Sequence, residues 1–383
     1  MLKNPFTPVF GGKPTVFFGR TLILSRFDQA FVDQGSEYRA LFVTGTRGSG
    51  KTALLEQLSN RAQRKGWRVI DLGPENTVSA LVRRIAGHDE ITKTVDPQVS
   101  INVFGTGGSV GGVSTSRTTH ADRSDLDLLL IDACAHEAKG IMVTIDEIQK
   151  VSEEDVSAIS NAFQMASRKG CEAILVVAGL PYSHEAVIAY RGCTFMRRCV
   201  HQRLGLLDRL EVSQALSDVP RSMGVVLQDS LLHALIDASY GHPYMVQLLG
   251  YHLINRVNEA GGANPYHATQ KDVNTAIERA VEAYKRRALD PMVAELAPAE
   301  RAYLTAAAKV LNNERTASVS DICRLMGKDS KQTSPSRDRL LKTGLMLAPA
   351  RGKLMFTVPY LADFLLTPSD EQCEVERLRM WGV

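Results

Sequence analysis

No run of apolar residues in this chain approaches the length of a membrane-spanning helix. Its first twenty residues mix Lys, Asn, Pro and Gly with short apolar pieces, unlike a secretory leader, so a cytoplasmic location is expected. Cysteine is sparse. The six residues Cys134, Cys171, Cys193, Cys199, Cys323 and Cys373 are scattered, with no CxxC pair or His-rich neighbour to give zinc-ligand spacing, so reduced and mostly buried thiols are expected. Net charge is nearly missing too, because 45 Lys and Arg stand against 42 Asp and Glu, leaving +3. That balance decides nothing about nucleic acid, and any basic surface has to be found locally.

What is present is enough chain, 383 residues, for two or three domains with buried interiors. The first half alternates short β-rich runs with helical patterns, which predicts a parallel sheet covered by helices. Strand candidates are Leu41 to Thr44, Trp67 to Leu72, Ile141 to Ile145, Ala173 to Ala178 and Val200 to Leu206. Between the last three, Val156, Ile159, Phe163 and Ala166 fall at helical spacing, and Gly170 stands where that helix would end in a left-handed residue. A glycine-rich stretch, Val99 to Arg117, interrupts the rhythm and reads either as a surface loop or as a partner-binding hairpin. From about Ser213 to Glu295 strands disappear and helical periodicity takes over. After Pro298 three short helices are expected, Glu300 to Val310, Val319 to Met326 and about Pro335 to Lys342. Two strands follow, Leu345 to Ala348 and Leu354 to Val358, joined through Pro349 to Gly352 as a wing.

The chemistry begins at Gly45 to Thr52, GTRGSGKT, which fits G-x-x-x-x-G-K-[ST] after an apolar strand and before the amphipathic helix Thr52 to Lys65. In that pattern Gly45, Gly48 and Gly50 let main-chain amides around Thr46, Arg47 and Ser49 turn inward on phosphates. Lys51 reaches the β- and γ-phosphates, and the Thr52 hydroxyl ligates Mg²⁺. The run IMVTIDE, Ile141 to Glu147, sets two carboxylates at the end of a buried strand. Asp146 is expected to hold the Mg²⁺ shell, and Glu147 to polarise the attacking water as general base.

With further segments, NPFTPVFG (Asn4 to Gly11) and VFFGR (Val16 to Arg20), the chain resembles the origin-recognition-like branch of AAA+ ATPases, close to the STAND-type regulators. The resemblance spans nearly the whole chain and implies a P-loop α/β core at 1–210, a helical lid at 211–297, a winged helix at 298–368 and a tail at 369–383. It places Phe18, Gly19 and Arg20 beside the adenine. AGLP, Ala178 to Pro181, occupies the place where such proteins put Asn, Thr or Ser to touch the γ-phosphate, and neither Ala178 nor Gly179 can do that. The departure implies a slow nucleotide switch. FMRRCVHQRLGLL, Phe195 to Leu207, resembles the box ending in an arginine finger, with Arg198 the better match and Arg197 second. Arginines paired on their own surface are the other reading. GHPYMVQLLGYHL, Gly241 to Leu253, resembles the lid-helix motif, where Gly241 and Pro243 match the GxP signature and His242 stands where relatives often carry a sensing arginine.

Between Lys328 and Lys353 seven basic residues stand against Asp329 and Asp338, a local excess of five. In a winged helix the third helix enters the major groove and the wing meets the backbone. This places Lys331, Gln332, Ser336, Arg337, Arg339, Arg351 and Lys353 at double-stranded DNA. The expectation is therefore an ATP- and Mg²⁺-binding, slowly hydrolysing switch that couples nucleotide state to DNA binding, with self-association through Arg198. The alternative is a nucleotide-dependent scaffold whose winged helix docks on protein.

Overall fold

Five strands carry the N-terminal half: β1 (Ala40–Gly45), β2 (Arg68–Leu72), β3 (Ile141–Ile145), β4 (Ala173–Gly179) and β5 (Val200–Leu204). Apart from Thr44, Thr144 and the glycines that end β1 and β4, their buried residues are apolar. β3 is buried along its whole length, and β1 and β4 at every position but the first, as befits strands covered on both faces. The computed structural model describes residues 2–9, 15–86, 125–261 and 265–367. The glycine-rich stretch Val99 to Arg117 and the tail 369–383 lie outside the described residues. The sheet order is β2-β3-β4-β1-β5, with β2 parallel to β3, β3 to β4 and β4 to β1. This is a P-loop α/β sheet. All five expected strands exist, and β5 stops at Leu204, two residues early.

The residues divide into two compact units. One comprises Arg20–Thr44 and Lys51–Arg203 and holds most of the sheet. Its core gathers Phe42, Ile70, Val143, Ile145, Leu175 and Val177 from strands with Val156, Ile159, Phe163 and Ala166 from the helix Glu153–Arg168. That helix starts because the Ser152 side chain accepts from the Asp155 amide, and Gly170, at φ 70°, ends it.

The other unit comprises Met1–Gly19, Gly45–Gly50 and Leu204–Val383. It contains the helices Arg209–Ser222, Asp229–Ser239, Pro243–Glu259 and Gln270–Tyr284. Reciprocal side-chain caps open the first and last of these, Asp208 with Glu211 and Thr269 with Asp272. The region is not strand-free as expected, because β6 (Val225–Val226) pairs with β7 (Tyr266–His267). Two residues are too few for any periodicity to reveal. The N-terminal segment joins this unit: Asn4 Nδ2 donates to the Tyr251 carbonyl, and Phe6 is buried beside Ile254 and Val257.

The winged helix follows, built from helices Pro298–Lys309, Val319–Met326 and Ser330–Lys342 with strands β8 (Thr316–Ser318), β9 (Met346–Ala350) and β10 (Lys353–Phe356). β10 lies between β8 and β9 and is antiparallel to both. The third helix begins at Ser330, not near Pro335. Asp329 and Gln332 form a reciprocal cap at its start, and that cap outweighs the tendency of proline to open a helix. One hydrophobic core runs through the helical region and the winged helix, from Leu207 and Leu249 to Leu340 and Leu361.

Candidate nucleotide site

The turn between β1 and the helix Lys51–Arg64 is shaped by glycine where side chains cannot go. Gly48 and Gly50 have φ of 76° and 89°, and a Cβ at Gly48 would lie 2.5 Å from His242 Cε1. His242 Nε2 lies 3.3 Å from the Arg47 carbonyl oxygen, and the Arg47 guanidinium pairs with Glu295 at 2.7 Å. Pro243 opens the helix Pro243–Glu259, and its Cβ would stand 4.0 Å from a Cβ on Gly50. The Ser49 Oγ and His242 Nδ1 atoms are buried with no hydrogen-bond partner among the described residues. Burial pushes the His242 ring down to about 4, so it is neutral at pH 7 and cannot replace a sensing arginine by charge. Sequence reasoning singled out His242 for the arginine it replaces and missed its contact with the phosphate-loop turn.

In the sheet unit, Lys51 begins its helix and is buried, at 7% exposure. Thr52 Oγ1 donates to Asp146 Oδ2 at 2.6 Å, so the structure brings together the two expected Mg²⁺ ligands. Both are hard oxygen donors that leave further positions for water and phosphate oxygens, and they fit Mg²⁺. Asp146 Oδ1 accepts from the Glu147 amide at 2.8 Å, and Glu147 is held at φ 53°, a left-handed conformation unusual for a non-glycine residue. Its carboxylate accepts from Gln149 Nε2 at 2.7 Å and lies 3.8 Å from Lys150 Nζ. Gln149 is a residue the sequence reading missed. Only its position two residues after Glu147 could have drawn notice to it.

The remaining expected residues fall into several places. Phe18 packs against the core of the helical unit. Gly19, at φ 71°, lies so close to Leu207 and Glu211 that a Cβ would be within 2.8 Å of both side chains. Arg20 is left-handed too, at φ 60°, just before the helix Thr21–Asp28. Arg198 is exposed in the short turn Met196–Arg198, while Arg197 Nε donates to the Ile188 carbonyl at 2.9 Å.

On the third helix of the winged helix, Lys331, Gln332 and Arg339 are exposed, whereas Ser336 and Arg337 are half-buried. Arg337 bonds to Ser334 and Asp338. Arg339 Nε donates to Glu300 at 2.9 Å, and Lys353 lies 3.6 Å from a Glu314 carboxylate oxygen. Arg351 is exposed in the wing beside Gly352. No described helix is long and apolar enough to cross a membrane.

Residues 16–177 match the family described as an AAA ATPase domain, and residues 287–365 match a domain of unknown function. No curated protein matches the sequence. Among solved structures, a Walker-type ATPase of Pyrococcus abyssi is similar over 93% of this chain and 97% of its own, at 13% identity and a TM-score of 0.63. The ORC2 protein of Aeropyrum pernix, solved in ADPNP and ADP complexes, is similar over 98% and 99%, at 13% identity and a TM-score of 0.62. At such identity the likeness is one of fold.

Proposed function

Since the chain carries an AAA ATPase domain within a fold of the origin-recognition-like kind, we propose that it is an ATP-dependent switch whose nucleotide state governs DNA binding by the winged helix. The observation that carries this reading is the meeting of Thr52 and Asp146 at 2.6 Å with Glu147 next in the chain. The amides of Gly45–Gly50 bind phosphate oxygens, with the helix beginning at Lys51 adding positive potential. Lys51 binds the β- and γ-phosphates, and Thr52 and Asp146 would hold Mg²⁺. Bound there, the cation would supply neutralisation of charge on those phosphates. Phe18, Gly19 and Arg20 face the adenine, and the lid senses the nucleotide through packing around Pro243 beside Gly50.

For hydrolysis, a water oxygen forms a bond to the γ-phosphorus while the bond from that phosphorus to the β–γ bridging oxygen breaks. ADP departs with the electron pair, and the Glu147 carboxylate takes the water proton. Arg198 of a neighbouring copy stabilises the transferring phosphoryl group. Lys51→Ala should abolish ATP binding in calorimetry, and Glu147→Gln should bind ATP yet retain it unhydrolysed. Unchanged ATP affinity in the lysine variant would falsify the reading.

A second reading, a scaffold that binds nucleotide with little turnover and docks on protein, is favoured by Ala178 and Gly179 at the end of β4. Turnover measured across a DNA titration separates them: the switch responds to DNA, and the scaffold does not.

A further inference from the structure

The end of β4 has no polar side chain to offer a phosphate, yet the space in front of it holds a carboxamide. A Cβ at Gly179 would lie 2.7 Å from Gln149 Oε1 and 2.3 Å from Ser183 Oγ, so glycine there makes room for Gln149. The amide orientation follows from its neighbours. The Leu180 amide can only donate, and it points at Gln149 Oε1 from 3.1 Å, with the Ser183 hydroxyl sharing its one proton between that oxygen at 3.3 Å and the nearer Leu180 carbonyl at 2.5 Å. The NH₂ therefore faces the other way, and Nε2 donates to Glu147 Oε2 at 2.7 Å.

We infer that Gln149 is the positioning residue of Glu147: anchored on the end of β4, it holds one carboxylate oxygen and leaves the other to receive the proton of the attacking water. This rests on the ATPase reading above and deepens it. The residue type suits the task, because a carboxamide offers an acceptor on one side and a donor on the other, and the bridge needs both. Glu147 needs such a tether. Its own main chain is in a left-handed conformation and Lys150, its ionic neighbour, is exposed, so neither fixes the carboxylate. Anchoring on Leu180 and Ser183 also links the base to the strand end whose side chains cannot touch phosphate.

Two variants of the full chain test this. Gln149→Glu keeps an acceptor for Leu180 and Ser183 but faces Glu147 with a like charge, and Gln149→Met keeps the length and loses every hydrogen bond. Both should lower kcat on the order of 10²-fold, the cost of misplacing a reacting group by about an ångström. KM for ATP and the affinity for a non-hydrolysable analogue should stay within about twofold, the pattern of a group that acts only in the transition state. Thermal melting of Gln149→Glu should match the parent. A kcat unchanged in Gln149→Glu overturns the inference, as does a fall in analogue affinity parallel to kcat, which marks a merely structural role. A parent chain that binds ATP without turning it over also overturns it. A parent that binds no nucleotide fails earlier, and then it is the ATPase reading that falls.

Discussion

His242 shows how much one ring can carry without charge. It is buried at 2% exposure, stacks edge-on against Tyr284 with ring centroids 5.5 Å apart, and closes on the phosphate-loop turn through the Arg47 carbonyl. Its folded pKa is about 4, against an ordinary value of 6.5, so burial disfavours the charged form. The sign follows by linkage. Above the ordinary value the ring is neutral folded or unfolded and contributes no pH dependence. Between 6.5 and 4 only the unfolded chain takes up the proton, so stability falls with falling pH and levels off below about 4. The loss should reach ~2 kcal/mol by about pH 5. His242→Gln keeps a donor for Arg47 and cannot titrate, so its melting temperature should fall less than the parent's between about pH 7 and pH 5. Equal falls in the two proteins would exclude the ring as the cause. His201, at about 4 beside His184 and Thr44, adds a slope of the same sign that the variant retains.

At the scale of elements, the third helix of the winged domain decides what the DNA reading predicts. Glu300, buried at 6%, receives Arg339 and also caps its own helix by accepting from the Ala297 amide. Glu314 sits by Lys353. Counting these two carboxylates brings the local basic excess from five to three. Non-specific binding should then show a log K against log salt slope of about −3, shallower than the slope of about −4 to −5 that the sequence alone implies. Anisotropy of labelled duplex DNA across salt concentrations measures it, and a slope near zero removes the DNA reading for this domain.

Legibility followed the length of each signal. β1, β3 and β4 could be read because apolar runs declare themselves, and the phosphate loop because its motif is spaced, whereas β2 and β5 mix charged or polar residues into short β-rich stretches. β6, β7 and β8 have two or three residues each, and they exist because a partner strand pairs with them. The start at Ser330 was masked by Pro335, and Gln149 was invisible because its meaning lies in contacts with residues about thirty positions away.

At the scale of the molecule, one unit contains both the phosphate-loop turn Gly45–Gly50 and the winged helix, and an unbroken series of contacts joins them. From His242 the series passes to Tyr284, then to Tyr360 at 6.4 Å between ring centroids, and to Tyr240 at 5.2 Å from Tyr360. Tyr360, just before the short helix Leu361–Leu366 that follows β10, donates its hydroxyl to the Ala238 carbonyl at 2.8 Å. Arg315, near the start of β8, lies over the Tyr240 ring at 5.2 Å and donates to its hydroxyl at 2.9 Å. Contiguity alone does not establish coupling, which is a free energy between two ligands and must be measured as one. In the switch reading, ATP changes the DNA affinity of the parent by some factor, and DNA changes the ATP affinity by the same factor. Tyr360→Ala removes both the ring contacts and the hydroxyl bond in the middle of the series. Its coupling factor should fall towards one while each ligand alone binds as in the parent, with ATP affinity read by calorimetry and DNA affinity by anisotropy. A variant that retains the full factor would mean that nucleotide state reaches the winged helix by another route, or that the tyrosines serve only to pack the two sets of helices together.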